Sequence, residues 1–465
     1  MTTEPLPDYA TKSFWLETAG PYEESPPLEE SIQADVTVVG GGFTGLSTAY
    51  HVKKAGPGLR VVLIEDRVIG YGASGRNAGF AMTLFGLTLG LTRSFFGEEG
   101  ARQAHHYMER AVDYVGELVR EHDLKCDYER PGFLRAATTP GYAKRIQEEI
   151  EVAHRLGIEG ISWLTKEELA QEVRSPLYLG AWWEPRCALV NPARLAREMK
   201  RVCLEHGVEI YERTPAREIR RGTAITVSTP KGSIRTERLV LATNAWSHLI
   251  PAIKPKQVPA WTYIVLTEPL TPDHFAEIGW QNRQGIEDAR NLVHYYRLTA
   301  DNRLLMGGGD IGIAYGKNMD RDSHERIWRD LAGHIVQIFP SLKGVRITHR
   351  WGGPVSVPVD MAPAIGTLGD ERVVWSLGCM GHGVSLTHLN GLTISQLLRG
   401  EQTELTEVFF VNRRTIPWPP EPLRWVASVA IRGYMRAEDR IYERNMPAPE
   451  GTLPYQPSDP PAHVN

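Results

Sequence analysis

Hydrophobic and polar positions alternate in two periods along this chain, and the clearest run is at its start. Asp35-Val36-Thr37-Val38-Val39 is a short β-branched run that predicts a buried strand. Gly40-Gly41-Gly42-Phe43-Thr44-Gly45 follows at once and opens a helix, Leu46 to Lys54. A second buried strand, Arg60 to Ile64, ends on Glu65. Further on, apolar residues at helical spacing predict helices at Glu98–Asp123, Pro140–Leu156, Ala193–His206 and Ser323–Phe339. Threonine at 165 and Asn191-Pro192 read as helix starts. Between them lie strand patterns at Gly132–Ala136, Gly180–Val190, Val208–Ile210, a hairpin of 225–227 with 232–234, and a buried run from Arg238 to Trp246. Tyr263–Leu266, Leu292–Leu298 and Arg303–Gly308 look antiparallel, with Asp301-Asn302 as a turn. Val345–Arg350 and Val373–Gly378 complete the strands, and Met380-Gly381-His382-Gly383-Val384 leads into a helix through Leu397.

The order strand, glycines, helix, strand, acid carries chemistry. Glycine at 40 permits a tight turn, glycine at 42 lets backbone N–H groups approach a pyrophosphate, and glycine at 45 lets helix pack on strand. The helix N-terminus adds partial positive charge at the phosphates, and Glu65 is placed to accept hydrogen bonds from a ribose. The competing reading is a βαβ unit without a ligand. Near the other end, Gly381-His382-Gly383 opens a second helix and repeats this anion-friendly geometry. A nicotinamide dinucleotide does not need that second contact. FAD does, since its reduced ring carries electron density that a helix dipole stabilises.

Composition narrows the class without naming a reaction. The chain has 465 residues, 42% hydrophobic and 23% charged, which is soluble globular usage with room for two or three domains. A net charge of −4 gives no general attraction to nucleic acid. Four scattered cysteines show neither C-x-x-C nor zinc spacing, so free thiols, no metal and a reducing compartment are expected. No apolar run reaches membrane-spanning length and the N-terminus is proline-rich and acidic, so the expected location is the cytoplasm.

Several blocks together carry a family resemblance. They are Val38-Val39-Gly40-Gly41-Gly42-Phe43-Thr44-Gly45-Leu46-Ser47, Gly72-Ala73-Ser74-Gly75-Arg76-Asn77-Ala78-Gly79, Leu241–Trp246, Arg350-Trp351-Gly352-Gly353-Pro354 and Gly378–Val384. The sequence resembles the D-amino acid oxidase, glycine oxidase and sarcosine oxidase family of flavoproteins, in its γ-glutamylputrescine oxidoreductase branch. The resemblance implies an α/β (α+β overall) chain: a Rossmann-like FAD-binding domain of discontinuous segments, plus a substrate domain on an antiparallel sheet. It places the FAD domain at 34–105, 186–250 and 346–410 and the substrate domain at 106–185 and 251–345. An extended arm, 1–33, precedes them, with Trp15 pinned in a groove, and a helical extension and tail, 411–465, follows.

By the same resemblance Gly40, Gly42 and Gly45 hold the pyrophosphate, flanked by Val39, Phe43 and Thr44, and Glu65, Asp66 and Arg67 lie at the ribose. Gly72, Ala73, Ser74, Arg76, Asn77, Ala78 and Gly79 line the path to the flavin, and Ala216 touches the adenine. Ala242 and Thr243 pass beneath the adenosine, while Gly353, Gly381, His382, Gly383 and Val384 surround the flavin. Relatives with covalent FAD carry a cysteine near the place of Gly352, so noncovalent FAD is expected. Amino-acid oxidising relatives carry an arginine where this chain has Val355, so the expected substrate is an amine, polyamine derivatives included, with O2 or another acceptor taking the electrons. Arg297 and Arg76 are candidates for a distant anionic group. Tyr263, Tyr296, Trp351 and His382 are the aromatic candidates for the amine pocket, each also a candidate for core packing. Rival readings are an amino-acid oxidase, a nicotinamide-dependent dehydrogenase and a non-catalytic flavin-binding subunit.

The apolar positions Leu423, Val426, Ala427, Ala430, Ile431, Tyr434 and Met435 form a stripe on a last helix. That stripe is expected to dock on the protein itself or on a second subunit in a homo-oligomer, rather than on a membrane.

Overall fold

The computed structural model describes residues 8–457. Two large sheets organise the chain. In the first, parallel strands run in the spatial order Val373–Leu377, Ser233–Leu241, Ile32–Val39, Val61–Ile64, Glu209–Tyr211, with Ala364–Thr367 added antiparallel at one edge. Val36, Val38, Val61 and Leu63 are fully buried, as β-branched and leucine strands covered on both faces require. The antiparallel strands Glu218–Arg221 and Ile225–Ser228 hang from Ser233–Leu241.

The helix Phe43–Ala55 lies on this sheet, and the helix Gly383–Leu398 packs across it. A Cβ at Gly45 would overlap the Gly40 carbonyl oxygen, so glycine there allows helix and strand to touch. Gly391 plays the same part between the two helices: a Cβ would lie 2.6 Å from the Thr48 backbone nitrogen. Ser47 Oγ donates to the His388 carbonyl oxygen across the same contact, 2.6 Å away.

The second sheet runs Gly312–Ile313, Val258–Pro269, Arg303–Gly308, His294–Leu298, Gly285–Asp288, Phe133–Ala137, Gly180–Glu184, Ser162–Thr165, with Ile347–Val357 on the other side of Val258–Pro269. It is antiparallel except for one parallel pair, Gly285–Asp288 with Phe133–Ala137.

Two expected boundaries differ from this structure. Helix Leu89–Glu121 crosses the expected division at 105, because Ala104, Met108 and Ala111 bury into the core beneath the first sheet. Strand Ile347–Val357 belongs to the second sheet rather than to the first domain's segment, and it runs through Gly352-Gly353-Pro354 instead of stopping at Arg350. Glycine and proline ordinarily weaken a strand interior. They fit within the strand because the partner Val258–Pro269 continues opposite them.

The N-terminal arm is fastened by chemistry. Trp15 is buried, and its Nε1 donates to the Asn77 carbonyl oxygen at 2.9 Å. Glu212, fully buried, accepts from Tyr22 Oη, the Ser25 and Ile69 backbone N–H groups and Lys200 Nζ, all within 2.6 Å. A buried carboxylate so fully satisfied ties arm, sheet and helix Pro192–Glu205 together.

The last helix, Leu423–Glu443, docks mainly by its polar side, with Ala427 and Val429 packed on Val258, Ile313 and Trp418, so most of the expected stripe is not the docking face. Asp439 accepts from the backbone N–H groups of Asn291 (2.8 Å) and Leu292 (3.0 Å). Arg436 pairs with Asp310, Arg290 with Glu443, and Tyr442 stacks on Tyr142. The body at this place offers unpaired backbone donors and charges, so the charged face of the helix satisfies them. Leu423, Val426 and Tyr434 are left facing outward. No helix among the described residues is long and apolar enough to cross a membrane.

Candidate active site

Between the sheets lies a cavity of about 1400 Å³. Both helix N-termini noted in the sequence open into it: Gly42, Phe43 and Thr44 from one helix, His382, Gly383 and Val384 from the other. Neither cap residue supplies a side-chain acceptor to its own helix. First-turn N–H groups and the aligned peptide dipoles therefore favour an anion at each end.

The residues around the first N-terminus fit a dinucleotide. Gly40 sits at φ +114°, and a Cβ there would lie 2.5 Å from the Ala242 carbonyl oxygen. A Cβ at Gly42 would fall 2.9 Å from Ser74 Oγ, so any larger side chain would fill the approach to the helix end. Ser74 Oγ accepts the Phe43 N–H at 3.0 Å. Glu65 lines the cavity and accepts from the Gly41 N–H (2.7 Å) and the Arg67 N–H (3.0 Å). Burial lifts its carboxyl to about 7 against the downward pull of those two donors. Asp66, Arg67, Ala216, Ala242 and Thr243 line the same end, as does Val39.

The glycine-rich loop forms a 3₁₀ turn at Ala73–Gly75 and is held from within. Asn77 Nδ2 donates to the Ala73 carbonyl oxygen at 2.9 Å, and its Oδ1 accepts the Gly79 N–H at 2.7 Å. Gly72, Ala73, Ser74, Arg76, Asn77 and Ala78 line the cavity. Gly45 and Gly79 do not; each is a packing glycine, Gly79 at φ +78° with no room for a Cβ against Val190. At the other end Gly353, Gly381, His382, Gly383 and Val384 reach the cavity. Burial, reinforced by the charge of Arg135, drops His382 to about 4, so the ring is neutral near pH 7. Its Nδ1 is buried with no hydrogen-bond partner.

Three of the four aromatic candidates lie elsewhere. Tyr263 is buried in the second core and its hydroxyl donates to the Arg321 carbonyl oxygen at 2.9 Å. Tyr296 is fully buried and hydrogen-bonds Tyr178 Oη at 2.6 Å. Trp351 Nε1 donates to the Arg76 carbonyl oxygen at 2.7 Å, so it fastens the glycine-rich loop from behind. Neither arginine candidate offers a free fork. Arg297 is fully buried and donates to the Val190 carbonyl oxygen at 2.8 Å, and Arg76 to the Tyr71 carbonyl oxygen (2.8 Å) and Asp322 (2.9 Å).

The chamber walls use residues that the sequence reading passed over. Tyr295, the neighbour of Tyr296, lines the cavity, since alternate residues of a strand face opposite sides. Glu287 stands opposite Tyr295 in register and also lines it. Its side chain is only 8% exposed, makes no hydrogen bond, and has one distant cation, Arg135, at 3.9 Å. Burial raises Glu287 to about 7, against the opposing pull of Arg135. Asp310, Arg432 and Met435 close the outer wall, the last two from the C-terminal helix. Two adjacent acids in the short run Gly285-Ile286-Glu287-Asp288 carry no motif, so only the register shows which of them faces the cavity. Val355, in the place of the carboxylate clamp, lines the cavity as an apolar side chain.

Comparison with known proteins agrees with this geometry. Residues 35–397 match the family model for DAO, FAD dependent oxidoreductase. The chain is 33% identical over 434 residues to the γ-glutamylputrescine oxidoreductase of Escherichia coli (strain K12), covering 93% of this chain and 99% of that one. It is 23% identical over 396 residues to the sarcosine oxidase subunit beta of an Arthrobacter species, covering 82% and 90%. The crystal structure of glycine oxidase from Geobacillus kaustophilus has the same fold, with a TM-score of 0.69 at 22% identity over 83% of this chain and 99% of that one. With both helix N-termini lining one cavity and the family match over most of the chain, this protein belongs to the DAO family of FAD-dependent oxidoreductases.

Proposed function

We propose that this chain oxidises the C–N bond of a primary or secondary amine, polyamine derivatives included, rather than an α-amino acid. The observation that carries this reading is Glu287: a buried carboxylate in the chamber wall, without a hydrogen bond, beside Tyr295, in a cavity that the apolar Val355 also lines. An ammonium or partly charged amine satisfies that carboxylate, and an aromatic face beside it favours a cation. A substrate carboxylate would meet Val355 in place of a bidentate clamp and would be repelled by Glu287. The 33% identity to a γ-glutamylputrescine oxidoreductase supports the same class.

The reaction removes a hydrogen with its electron pair from the carbon next to nitrogen and a proton from the nitrogen. Water then hydrolyses the imine to a carbonyl compound and a free amine or ammonia. Bound FAD supplies the two-electron acceptor. The protein's share is placement: Glu287 holds the ammonium and takes its proton as the neutral amine forms, and the chamber walls exclude bulk water.

Three outcomes follow from this reading. Mixed anaerobically with the yellow holoenzyme, a diamine or an N-acylated diamine should bleach the flavin faster than glycine, sarcosine or D-alanine, and air should restore the colour. A simple α-amino acid as the best reductant would refute the amine reading.

Glu287 is protonated below its raised pKa of about 7 and loses its attraction for ammonium there, so reductive efficiency should rise with pH through that value. Glu287→Gln should lack this limb and retain only the one set by the amine itself. At pH 8 it should be about 10- to 100-fold less efficient, the worth of one charged contact. An unchanged pH profile would remove Glu287 from the mechanism.

FAD is held noncovalently in this reading. The one cysteine lining the cavity is Cys379, whose thiol burial pushes up and so keeps un-ionised, and Gly352 offers no side chain. Acid precipitation should leave all the yellow colour in the supernatant; colour in the pellet would disprove noncovalent attachment.

A further inference from the structure

The C-terminal helix turns its polarity inside out. Its outward side carries Leu423 (60% exposed), Trp425 (39%), Val426 (52%), Tyr434 (68%) and Ile441 (67%), with Ala430 between them. On a helix of 21 residues this is a strip about 31 Å long. It continues onto the body through Tyr315, half exposed and packed edge-on against Trp425. A surface helix of a soluble protein ordinarily shows water its charged side. Contiguous apolar surface of this kind marks an interaction site.

The charges decide what it meets. Every acid between residues 413 and 445 is turned toward the protein and held there. Glu421 pairs with Arg424, Glu438 accepts from Asn291, Asp439 accepts two backbone N–H groups, and Glu443 pairs with Arg290. The arginines left exposed, Arg414, Arg440 and Arg444, have no ion-pair partner among the described residues. An outward face of aliphatic and aromatic side chains, on a segment whose only unpaired charges are arginines, is the complement of an anionic bilayer surface. Apolar groups enter the acyl boundary, Trp and Tyr sit at headgroup level, and arginines meet lipid phosphates. A second copy is disfavoured, because its face would bring the same unpaired positive charges against these.

We propose that the helix Leu423–Glu443 is a membrane-surface anchor that lies in the headgroup region of an anionic bilayer, with the body of the enzyme held to its polar side. Ile431, Arg432 and Met435 of this helix also line the cavity, so docking would hold that wall of the substrate chamber at the lipid surface.

The test uses the full-length flavin-bound protein, sedimented with vesicles of phosphatidylcholine alone or with added phosphatidylglycerol. It should pellet with the anionic vesicles only, and salt should weaken the binding as it screens the arginines. Val426→Glu with Tyr434→Glu, and separately Arg440→Glu with Arg444→Glu, should each lower the partition about tenfold or more. All four residues are exposed and outside the cavity, so the flavin spectrum should not change. Wild-type protein that stays in the supernatant, or variants that bind as well as it does, would overturn the proposal. So would a stable dimer that Val426→Glu with Tyr434→Glu dissociates while vesicles capture nothing; that result would assign the face to a second copy.

Discussion

The close crossing of two helices governs this active site. Phe43–Ala55 and Gly383–Leu398 touch because Gly391 has no side chain, and Ser47 bonds the His388 carbonyl oxygen across the contact. Gly45 brings the first helix equally close to the strand that launches it. The two helix N-termini are thereby fixed relative to each other and to the parallel sheet. Each presents backbone donors to the same cavity, one beside Glu65 and Ser74, the other at His382. A cofactor with charge at one end and an electron-accepting ring at the other needs two anion-friendly ends at a set spacing.

The substrate half follows a different logic. There one carboxylate, Glu287, lines the cavity with no side-chain hydrogen bond to the protein, and burial raises its pKa. Several other charged side chains of the chamber are committed. Arg76 and Lys12 share Asp322, and Arg432 and Arg436 share Asp310. Trp351 and Trp15, far from passive filler, clamp the glycine-rich loop through its own carbonyl groups.

What could be read from the chain depended on whether the information was local. Gly40, Gly42, Gly45 and Glu65 are legible because strand, turn, helix and acid follow one another within about thirty residues, each limiting the next. Glu287 was invisible because its meaning lies in a strand pairing with Tyr295 that no local pattern encodes. Tyr295 and Tyr296 both suit an amine pocket by type, and only the pleat decides which one faces the chamber. The C-terminal stripe is split by the structure: Leu423, Val426 and Tyr434 face outward, Ala427 packs on the body, and Ile431 and Met435 line the cavity. Periodicity tells which residues share a face, and the unpaired donors of Asn291 and Leu292 determined which face turns inward.

The central claim, that the spacing of the two helix N-termini makes this a flavin site, is tested by the FAD dissociation constant of Gly391→Ala. The added methyl would lie 2.6 Å from the Thr48 nitrogen and must push the helices apart. Overpacking of that kind costs about 1–3 kcal/mol. Titration of the apoprotein with FAD should show binding about tenfold or more weaker than wild type, with far-UV circular dichroism unchanged. An unaltered dissociation constant in a variant of native helix content would contradict the account.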